Sequence, residues 1–231
     1  MKNFFKRYTP LQIIMHIGGW YPITRLLIEF FAGTLSANPI QEMEQRMGRA
    51  AITFLVLSLA CTPLNTIFHW REAIKRRRAL GLYAFMYATI HVTIFVDLDY
   101  GFAWSLLVQT IFQKPYMIVG LTSFLLLTPL AITSFDVWKM RLGKGWKNLH
   151  KLVYFIAPLA VLHYAWAQKG DLFFLRGNIG RPLLYAVIVI LLLIFRISFV
   201  RKLLVSLRER ILSPFRRRDS HPHPEPNTYQ A

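Results

Sequence analysis

Five of the seven histidines lie in or at the ends of apolar segments of the sequence. They are His16, His69, His91, His150 and His163. An ionisable side chain inside a membrane is costly and is functional by default, although a single imidazole can simply hydrogen-bond a neighbouring helix. The depth at which each histidine lies separates these two interpretations.

His91 and His163 are predicted to lie at matching depth. His91 follows Arg78 by 13 residues, and His163 follows Lys147 by 16, so helical rise places both roughly 20 to 24 Å from the same basic boundary. Two neutral imidazoles facing each other at one depth are what six-coordinate haem iron requires, and haem suits an apolar helix bundle. We therefore predict that these two histidines are the axial ligands of one haem.

A third histidine, His150, lies about 20 Å from His163 by helical rise, which suits a second haem in the other leaflet. On an ideal helix the two would not share a face, because 13 residues turn the side chain by about 140°. Pro158 lies between them and can kink the helix. His16 lies at a depth comparable to that of His150 and is its candidate partner, whereas His69 is predicted to be interfacial. One haem or two are expected.

Three arginines are candidate contacts for haem propionates or a flavin phosphate: Arg25, Arg77 and Arg78. Arg25 precedes Glu29 by four residues, so an ion pair within one helix is the simpler interpretation of that pair. Arg77 and Arg78 follow Arg76, and the three are most simply a stop-transfer cluster, although they could clamp an anionic group at the membrane face.

Several cofactor-binding motifs do not occur in the sequence. Their absence restricts how a cofactor is attached and how it is reduced. The only cysteine is Cys61, and no Cys-x-x-Cys-His motif occurs, so any haem is held without covalent attachment, through axial side chains. No Gly-x-Gly-x-x-Gly or P-loop motif occurs either. The chain is therefore not expected to take hydride from NAD(P)H by itself, and electrons must come from a quinol or a separate reductase.

The composition indicates a membrane protein. Of the 231 residues, 55% are hydrophobic and 15% aromatic, which is too much apolar surface for a soluble domain of this size. The formal net charge is +17, but the basic residues lie between long apolar runs. Membrane lipid is therefore the expected partner of this charge, and nucleic acid is excluded.

Six segments are long and apolar enough to span a bilayer. They lie at about 11–32, 49–69, 79–98, 115–135, 149–168 and 182–200. Turn and charge signals are expected to mark their connections, among them Ala37-Asn38-Pro39, Arg76-Arg77-Arg78, Lys114-Pro115 and Gly143-Lys144-Gly145. The expected fold is an all-α integral membrane protein, a bundle of six transmembrane helices.

The basic residues predict the orientation of this bundle. Twenty-one lysines and arginines fall on one side of the predicted membrane and six on the other, so both termini are expected to be cytoplasmic. Residues 1–205 form the predicted haem-binding transmembrane domain. Residues 206–231 are basic and then rich in proline and histidine, a composition typical of a disordered tail, whose basic part is expected to lie on anionic lipid.

A series of short motifs runs in order along the chain to about residue 205. They are His16 with Pro22, Ala37-Asn38-Pro39, Gly48-Arg49, Thr62-Pro63, Arg77-Arg78-Ala79-Leu80-Gly81-Leu82, Ala88-Thr89-Ile90-His91, Pro115-Tyr116, Thr133-Ser134, Leu142-Gly143-Lys144-Gly145-Trp146, Leu149-His150 and His163-Tyr164-Ala165-Trp166. Their order and spacing resemble the MsrQ (YedZ) family, haem-binding membrane subunits of periplasmic methionine sulfoxide reductase systems within the ferric-reductase-like transmembrane group. Lys114, Gly145 and Arg25 depart from that family's usual residues.

This resemblance implies a protein of the bacterial inner membrane that binds haem b and FMN. It implies electron transfer from the respiratory quinone pool, or from reduced flavin, to a periplasmic molybdopterin-containing catalytic subunit that reduces methionine sulfoxide in oxidised envelope proteins. The residues that match the family's haem ligands are His91, His150 and His163. The chain would then be an electron-transfer subunit of an oxidoreductase rather than a complete enzyme.

Two alternatives remain open from the sequence. A stand-alone ferric or quinone reductase of the same fold would need no periplasmic protein partner. A small transporter or assembly scaffold would use its histidines only to join helices, and would be colourless.

Overall fold

A computed structural model describes residues 9–169 and 177–216, and within these ranges all the regular secondary structure is helical. The α-helices are α1 (Pro10–Phe31), α2 (Pro39–Phe68), α3 (Arg71–Ile94), α4 (Trp104–Gln113), α5 (Pro115–Ile132), α6 (Asp136–Leu142), α7 (Lys144–Leu149), α8 (Val153–Ala167), α9 (Gly180–Ile194) and α10 (Ser198–Arg216). A π-helical turn, Phe95–Asp99, extends α3, and a 3-10 turn, His150–Leu152, joins α7 to α8. The all-α prediction is confirmed.

Three of the long helices begin at a proline, where the missing N–H leaves no further donor unpaired. Before α1, the Thr9 side chain accepts a hydrogen bond from the Gln12 N–H, and before α2 the Asn38 side chain does the same for Gln41. Pro115 begins α5. These starts are readable in the sequence, because a polar cap followed by proline is a local signal.

The helices α2 and α3 form an antiparallel hairpin at the centre of the molecule. Only His69 and Trp70 connect them, and His69 adopts a left-handed backbone conformation with φ of 53°. The core between α2, α3, α8 and α9 is apolar and includes the fully buried side chains of Met47, Leu59, Tyr87, Ile156 and Val189. This core fixes the hairpin against the helices that follow it.

A half-buried arginine joins the bend between α9 and α10 to the hairpin. Pro63 lies inside α2, so the carbonyl of Leu59 one turn earlier has no N–H to accept from its own helix. The Arg196 guanidinium donates to that carbonyl at 2.9 Å and also hydrogen-bonds the Tyr154 hydroxyl of α8. Arg196 lies where the chain bends by 81° between α9 and α10.

The helices that are long and apolar enough to cross a membrane correspond to three of the six expected segments. They are Pro39–Phe68, Arg71–Asp99 and Pro115–Ile132, and a fourth span results if Gly180–Ile194 and Ser198–Ser206 are taken together across their bend. Helices also lie at the other two expected positions, where α1 has 22 residues and α8 has 15. The number of six spans therefore stays a prediction.

Several boundaries differ from what the sequence suggested. The helix α2 begins at Pro39 rather than at about 49, and the bend between α9 and α10 divides the expected span 182–200. Arg76, Arg77 and Arg78 do not mark a connection, because α3 begins at Arg71 and includes all three. Arginine has high helix propensity, so the helix extends beyond the apolar run into the charged one. At the other end of the chain α10 continues to Arg216, past the expected start of the tail at residue 206, and residues 217–231 lie outside the described ranges, as do His221 and His223.

Candidate functional site

His91 projects from α3 toward α2, where it is held by the backbone. Its Nδ1 lies 2.9 Å from the carbonyl oxygen of Glu44. A carbonyl oxygen only accepts hydrogen bonds, so Nδ1 carries the proton and donates it. Gly48 lies one turn further along α2, and a Cβ built there would be 3.4 Å from Nδ1 of His91. Because Gly48 has no side chain, the His91 ring packs directly against the backbone of α2.

His163 is held in the same way by another pair of helices. Its Nδ1 lies 2.8 Å from the carbonyl oxygen of Tyr116 at the start of α5, so this nitrogen also donates its proton. Gly120 follows one turn later, and a Cβ there would lie 2.5 Å from Nδ1 and 2.6 Å from Cε1 of the ring. The imidazole occupies the space that any other residue at position 120 would fill.

The structure brings His91 and His163 together, with their ring centroids 6.2 Å apart and the ring planes at 72°. Two imidazoles bound to one metal ion through bonds of about 2 Å would have their centroids roughly 6 Å apart if the ion lay between them. Because both Nδ1 atoms are used by carbonyls, each ring has its Nε2 left as a lone-pair donor. The pair therefore fits the two axial positions of a haem.

The two histidines are positioned by the same local arrangement, which occurs twice in the chain. Each ring bonds a carbonyl 47 residues earlier, and each carbonyl is followed four residues later by the glycine that contacts the ring. Gly48 belongs to one of the sequence motifs, whereas Gly120 and the two carbonyls belong to none of the predicted site features. The equal spacing of Gly48 to His91 and of Gly120 to His163 is the signal that would have found them.

His150 has a different environment. It begins the 3-10 turn before α8, and its Nδ1 lies 3.1 Å from the carbonyl oxygen of Trp146 in the preceding helix. The two rings pack with centroids 4.0 Å apart, and the Trp146 indole donates to the carbonyl of Thr133 at 2.8 Å. Its Nε2 is buried and has no hydrogen-bond partner in the part of the chain that the structure describes. That unpaired nitrogen could bind a metal.

The rotation about the helix axis between His150 and His163 differs from that of an ideal α-helix. Its cause is not only the expected kink at Pro158. A 3-10 turn follows His150 directly, and α8 begins only at Val153. A 3-10 turn has 3.0 residues per turn rather than 3.6, which changes the rotation between the two side chains. Pro158 lies inside α8, so it is not the only departure from an ideal helix between them.

His16, the candidate partner of His150, has another contact. Its Nδ1 lies 2.8 Å from the hydroxyl of Tyr83 in α3, and its ring is exposed at the surface of α1. Among the described residues no aromatic or hydrogen-bond contact joins His16 to His150. The pairing of the two stays a prediction, and the observed role of His16 is to join α1 to α3.

The three arginines named from the sequence each have a protein partner. Arg25 forms the expected ion pair with Glu29, at 2.8 Å. Arg77 is 3.4 Å from the hydroxyl of Thr62. Arg78 forms an exposed ion pair with Asp136 at 3.2 Å. A role for them in binding propionates or a flavin phosphate stays a prediction.

Comparison with known proteins places this arrangement in a family. Residues 47–161 match the family described as the ferric reductase like transmembrane component, a range that includes His91 and His150 and ends two residues before His163. No solved structure matches the chain.

Curated relatives extend the match beyond that range. A protein of Xanthomonas euvesicatoria pv. vesicatoria is 40% identical over 192 residues, 80% of this chain and 85% of the relative. One of Xanthomonas campestris pv. campestris is 44% identical over 163 residues, 71% and 72%. One of Herminiimonas arsenicoxydans is 37% identical over 190 residues, 82% and 85%. Each is named "Protein-methionine-sulfoxide reductase heme-binding subunit MsrQ". The resemblance seen in the sequence is thus confirmed, and this integral membrane chain belongs to the MsrQ family.

Proposed function

We propose that the chain is a haem b electron-transfer subunit of the bacterial inner membrane. It passes electrons from the quinone pool, or from reduced flavin, to a periplasmic molybdenum-dependent methionine sulfoxide reductase that repairs oxidised envelope proteins. The relatives are named as heme-binding subunits of a protein-methionine-sulfoxide reductase, which supports this proposal. The observation that carries the proposal is the His91 and His163 pair, whose ring centroids lie 6.2 Å apart.

The residues of this chain would prepare the pair to bind the iron axially. The carbonyls of Glu44 and Tyr116 hold both rings in the tautomer that leaves Nε2 free. Gly48 and Gly120 let the rings lie directly against the backbones of α2 and α5. A haem bound there would supply a one-electron redox centre inside the apolar bundle. His150, with its unpaired Nε2, is the proposed ligand of a second haem.

The proposed topology has six membrane spans with both termini in the cytoplasm, which places the His91 and His163 pair toward the periplasm. The charge distribution supports this orientation, because the basic residues gather on the other side. Electrons would then leave the membrane from the side on which the periplasmic reductase lies. FMN is a proposed second cofactor, and a respiratory quinone or a cytosolic flavin reductase is the proposed electron donor.

The test is the visible spectrum of the detergent-purified protein, oxidised and then reduced with dithionite, with haem per chain quantified. We expect b-type bands of bis-histidine iron in the wild type, and their loss in His91→Ala and His163→Ala. His69→Ala is the control, because that ring is exposed in the turn between α2 and α3. A wild type that stays colourless after haem supplementation would contradict the proposal and favour a transporter or scaffold.

The same purified protein distinguishes an electron-transfer subunit from a stand-alone reductase. Reconstituted with a quinol and a periplasmic methionine sulfoxide reductase, the chain should support reduction of methionine sulfoxide. Fast turnover of ferric chelates or quinones with no protein partner would instead favour the enzyme alternative.

A further inference from the structure

A cavity with a volume of about 680 Å³ lies between α1, α2 and α9. Four arginines line it: Arg25, Arg46, Arg49 and Arg181. Apolar and hydroxyl-bearing side chains complete the wall, among them Pro22, Ala50, Thr53, Leu184 and Tyr185. The histidines of the candidate haem sites are not among its lining residues. The cavity is therefore a separate feature of the bundle.

The carboxylates at this cavity neutralise only part of its charge. Glu29 forms ion pairs with Arg25 and Arg46, and Glu42 forms one with Arg46 at 2.5 Å. Neither Arg49 nor Arg181 takes part in any ion pair between described residues. Four guanidinium groups thus lie at the cavity against two carboxylates, Glu42 in its wall and Glu29 beside it, and this excess of positive charge attracts an anion.

Membrane topology does not explain these arginines. Only six of the assigned lysines and arginines fall on the side predicted to face the periplasm, where basic residues are normally scarce. Three of those six, Arg46, Arg49 and Arg181, line this one cavity. Their concentration at the disfavoured face points to a ligand rather than to orientation of the chain.

The chemistry of the wall indicates what kind of anion fits. Guanidinium groups bind phosphate through paired hydrogen bonds. The hydroxyls of Thr53 and Tyr185 bond each other at 2.7 Å in the wall, so the arginines are the donors available to an anion. At the edge of the cavity, Tyr21 is 57% exposed and Leu184 is 58% exposed, and the surfaces of membrane helices meet acyl chains. A ligand with an anionic phosphate and an apolar tail satisfies both parts of the wall.

We propose that this cavity binds the phosphate headgroup of an acidic phospholipid, which Arg49 and Arg181 hold together with the ion-paired Arg25 and Arg46. Such a lipid would join α1 and α9 to α2. This proposal does not depend on haem binding, so its failure would leave the proposed electron-transfer function untouched.

The test is native mass spectrometry of the full-length protein in detergent, titrated separately with phosphatidylglycerol and phosphatidylcholine. The wild type should retain phosphatidylglycerol in preference to phosphatidylcholine. The double variant Arg49→Gln with Arg181→Gln should bind phosphatidylglycerol about tenfold more weakly or worse, since two charge-assisted contacts are lost. Arg201→Gln with Lys202→Gln is the matched control, because it removes two positive charges from another surface cavity.

A second variant and a second measurement distinguish weaker lipid binding from unfolding of the variant. Arg49→Lys keeps the positive charge but loses the planar guanidinium, which can make two parallel hydrogen bonds to a phosphate. This variant should therefore bind phosphatidylglycerol with intermediate affinity. Phosphatidylglycerol should raise the melting temperature of the wild type and of the control, and should raise that of the double variant less. Equal retention of both lipids, or equal weakening in the control, would overturn the proposal. Displacement of the lipid by inorganic phosphate or by FMN would assign the site to a soluble phosphate instead.

Discussion

The His91 and His163 pair and the single His150 illustrate two ways of holding an imidazole in a helix bundle. His91 and His163 each donate their Nδ1 proton to a carbonyl on a different helix, so packing between helices sets their positions. His150 bonds a carbonyl only four residues earlier, in the helical turn directly before it. The first arrangement brings two ligands together, whereas the second leaves one buried Nε2 without a partner.

The pair is thus held by hydrogen bonds between different helices, whereas the Nδ1 hydrogen bond of His150 lies within its own segment. Changes in the contacts between α2 and α3 should therefore disturb the pair and leave the Nδ1 hydrogen bond of His150 in place. Changes around Trp146 should act in the opposite sense.

The largest effect is expected from removing a ligand. His163→Ala should abolish the low-spin spectrum of the pair, because His91 alone cannot provide two axial nitrogens. His150→Ala should leave those bands in place and lower haem per chain by about half at most, the loss expected if one haem of two depends on it. Reduced-minus-oxidised spectra with haem quantification measure both. Equal loss of the pair's bands in the two variants would show that the sites are not separate.

A large effect is also expected from Gly120→Ala. The new methyl group would lie 2.5 Å from Nδ1 of His163, so the ring must move and its bond to the Tyr116 carbonyl must break. Such overpacking costs about 1 to 3 kcal/mol, and haem content should fall severalfold. Gly18→Ala is the control, because nothing lies within 4 Å of a Cβ there. If Gly120→Ala retained full haem with unchanged bands, the ring would not be fixed against this backbone.

A smaller effect, confined to the other site, is expected from Trp146→Phe. The substitution keeps a ring against His150 but removes the indole N–H that donates to the Thr133 carbonyl. The loss of one such hydrogen bond costs about 1 kcal/mol. Thermal unfolding should detect it, while the bands of the His91 and His163 pair stay unchanged. Trp104→Phe, at an exposed position, is the control. A change in the pair's bands would mean that the two regions are coupled.

Much of the bundle could be predicted from the sequence because the relevant signals are local. Apolar runs located the main helices, and Ala37-Asn38-Pro39 marked the connection between α1 and α2. The meeting of His91 and His163 also followed from local counting, since helical rise converts residue number into depth. The count from Lys147 to His163 crosses the 3-10 turn His150–Leu152, whose three residues add only about 1.5 Å to the rise of an ideal α-helix.

What the sequence did not reveal depends on contacts between distant residues. No local signal indicates that His16 bonds Tyr83, 67 residues later, or that Arg196 bonds the carbonyl that Pro63 leaves free. The importance of Gly120 has no local signal either, and only its spacing to His163, equal to that of Gly48 to His91, indicates the contact. The 3-10 turn at His150 also escaped prediction, because the surrounding residues suit an α-helix equally well.

The smallest effect is expected from Gly48→Ala, the counterpart of Gly120→Ala in the other half of the pair. A Cβ at position 48 would lie 3.4 Å from Nδ1 and 3.5 Å from Cε1 of His91, which small shifts of the ring can accommodate. Replacing glycine by alanine within a helix also gains up to about 1 kcal/mol in propensity, which offsets the crowding. Haem content should therefore stay within about a factor of two of the wild type, because the net change in free energy is only a few tenths of a kcal/mol. The same measurements serve both glycine variants. If Gly48→Ala lost as much haem as Gly120→Ala, the two histidines would be held with equal tightness, and the closer packing of His163 on α5 would have no consequence for binding.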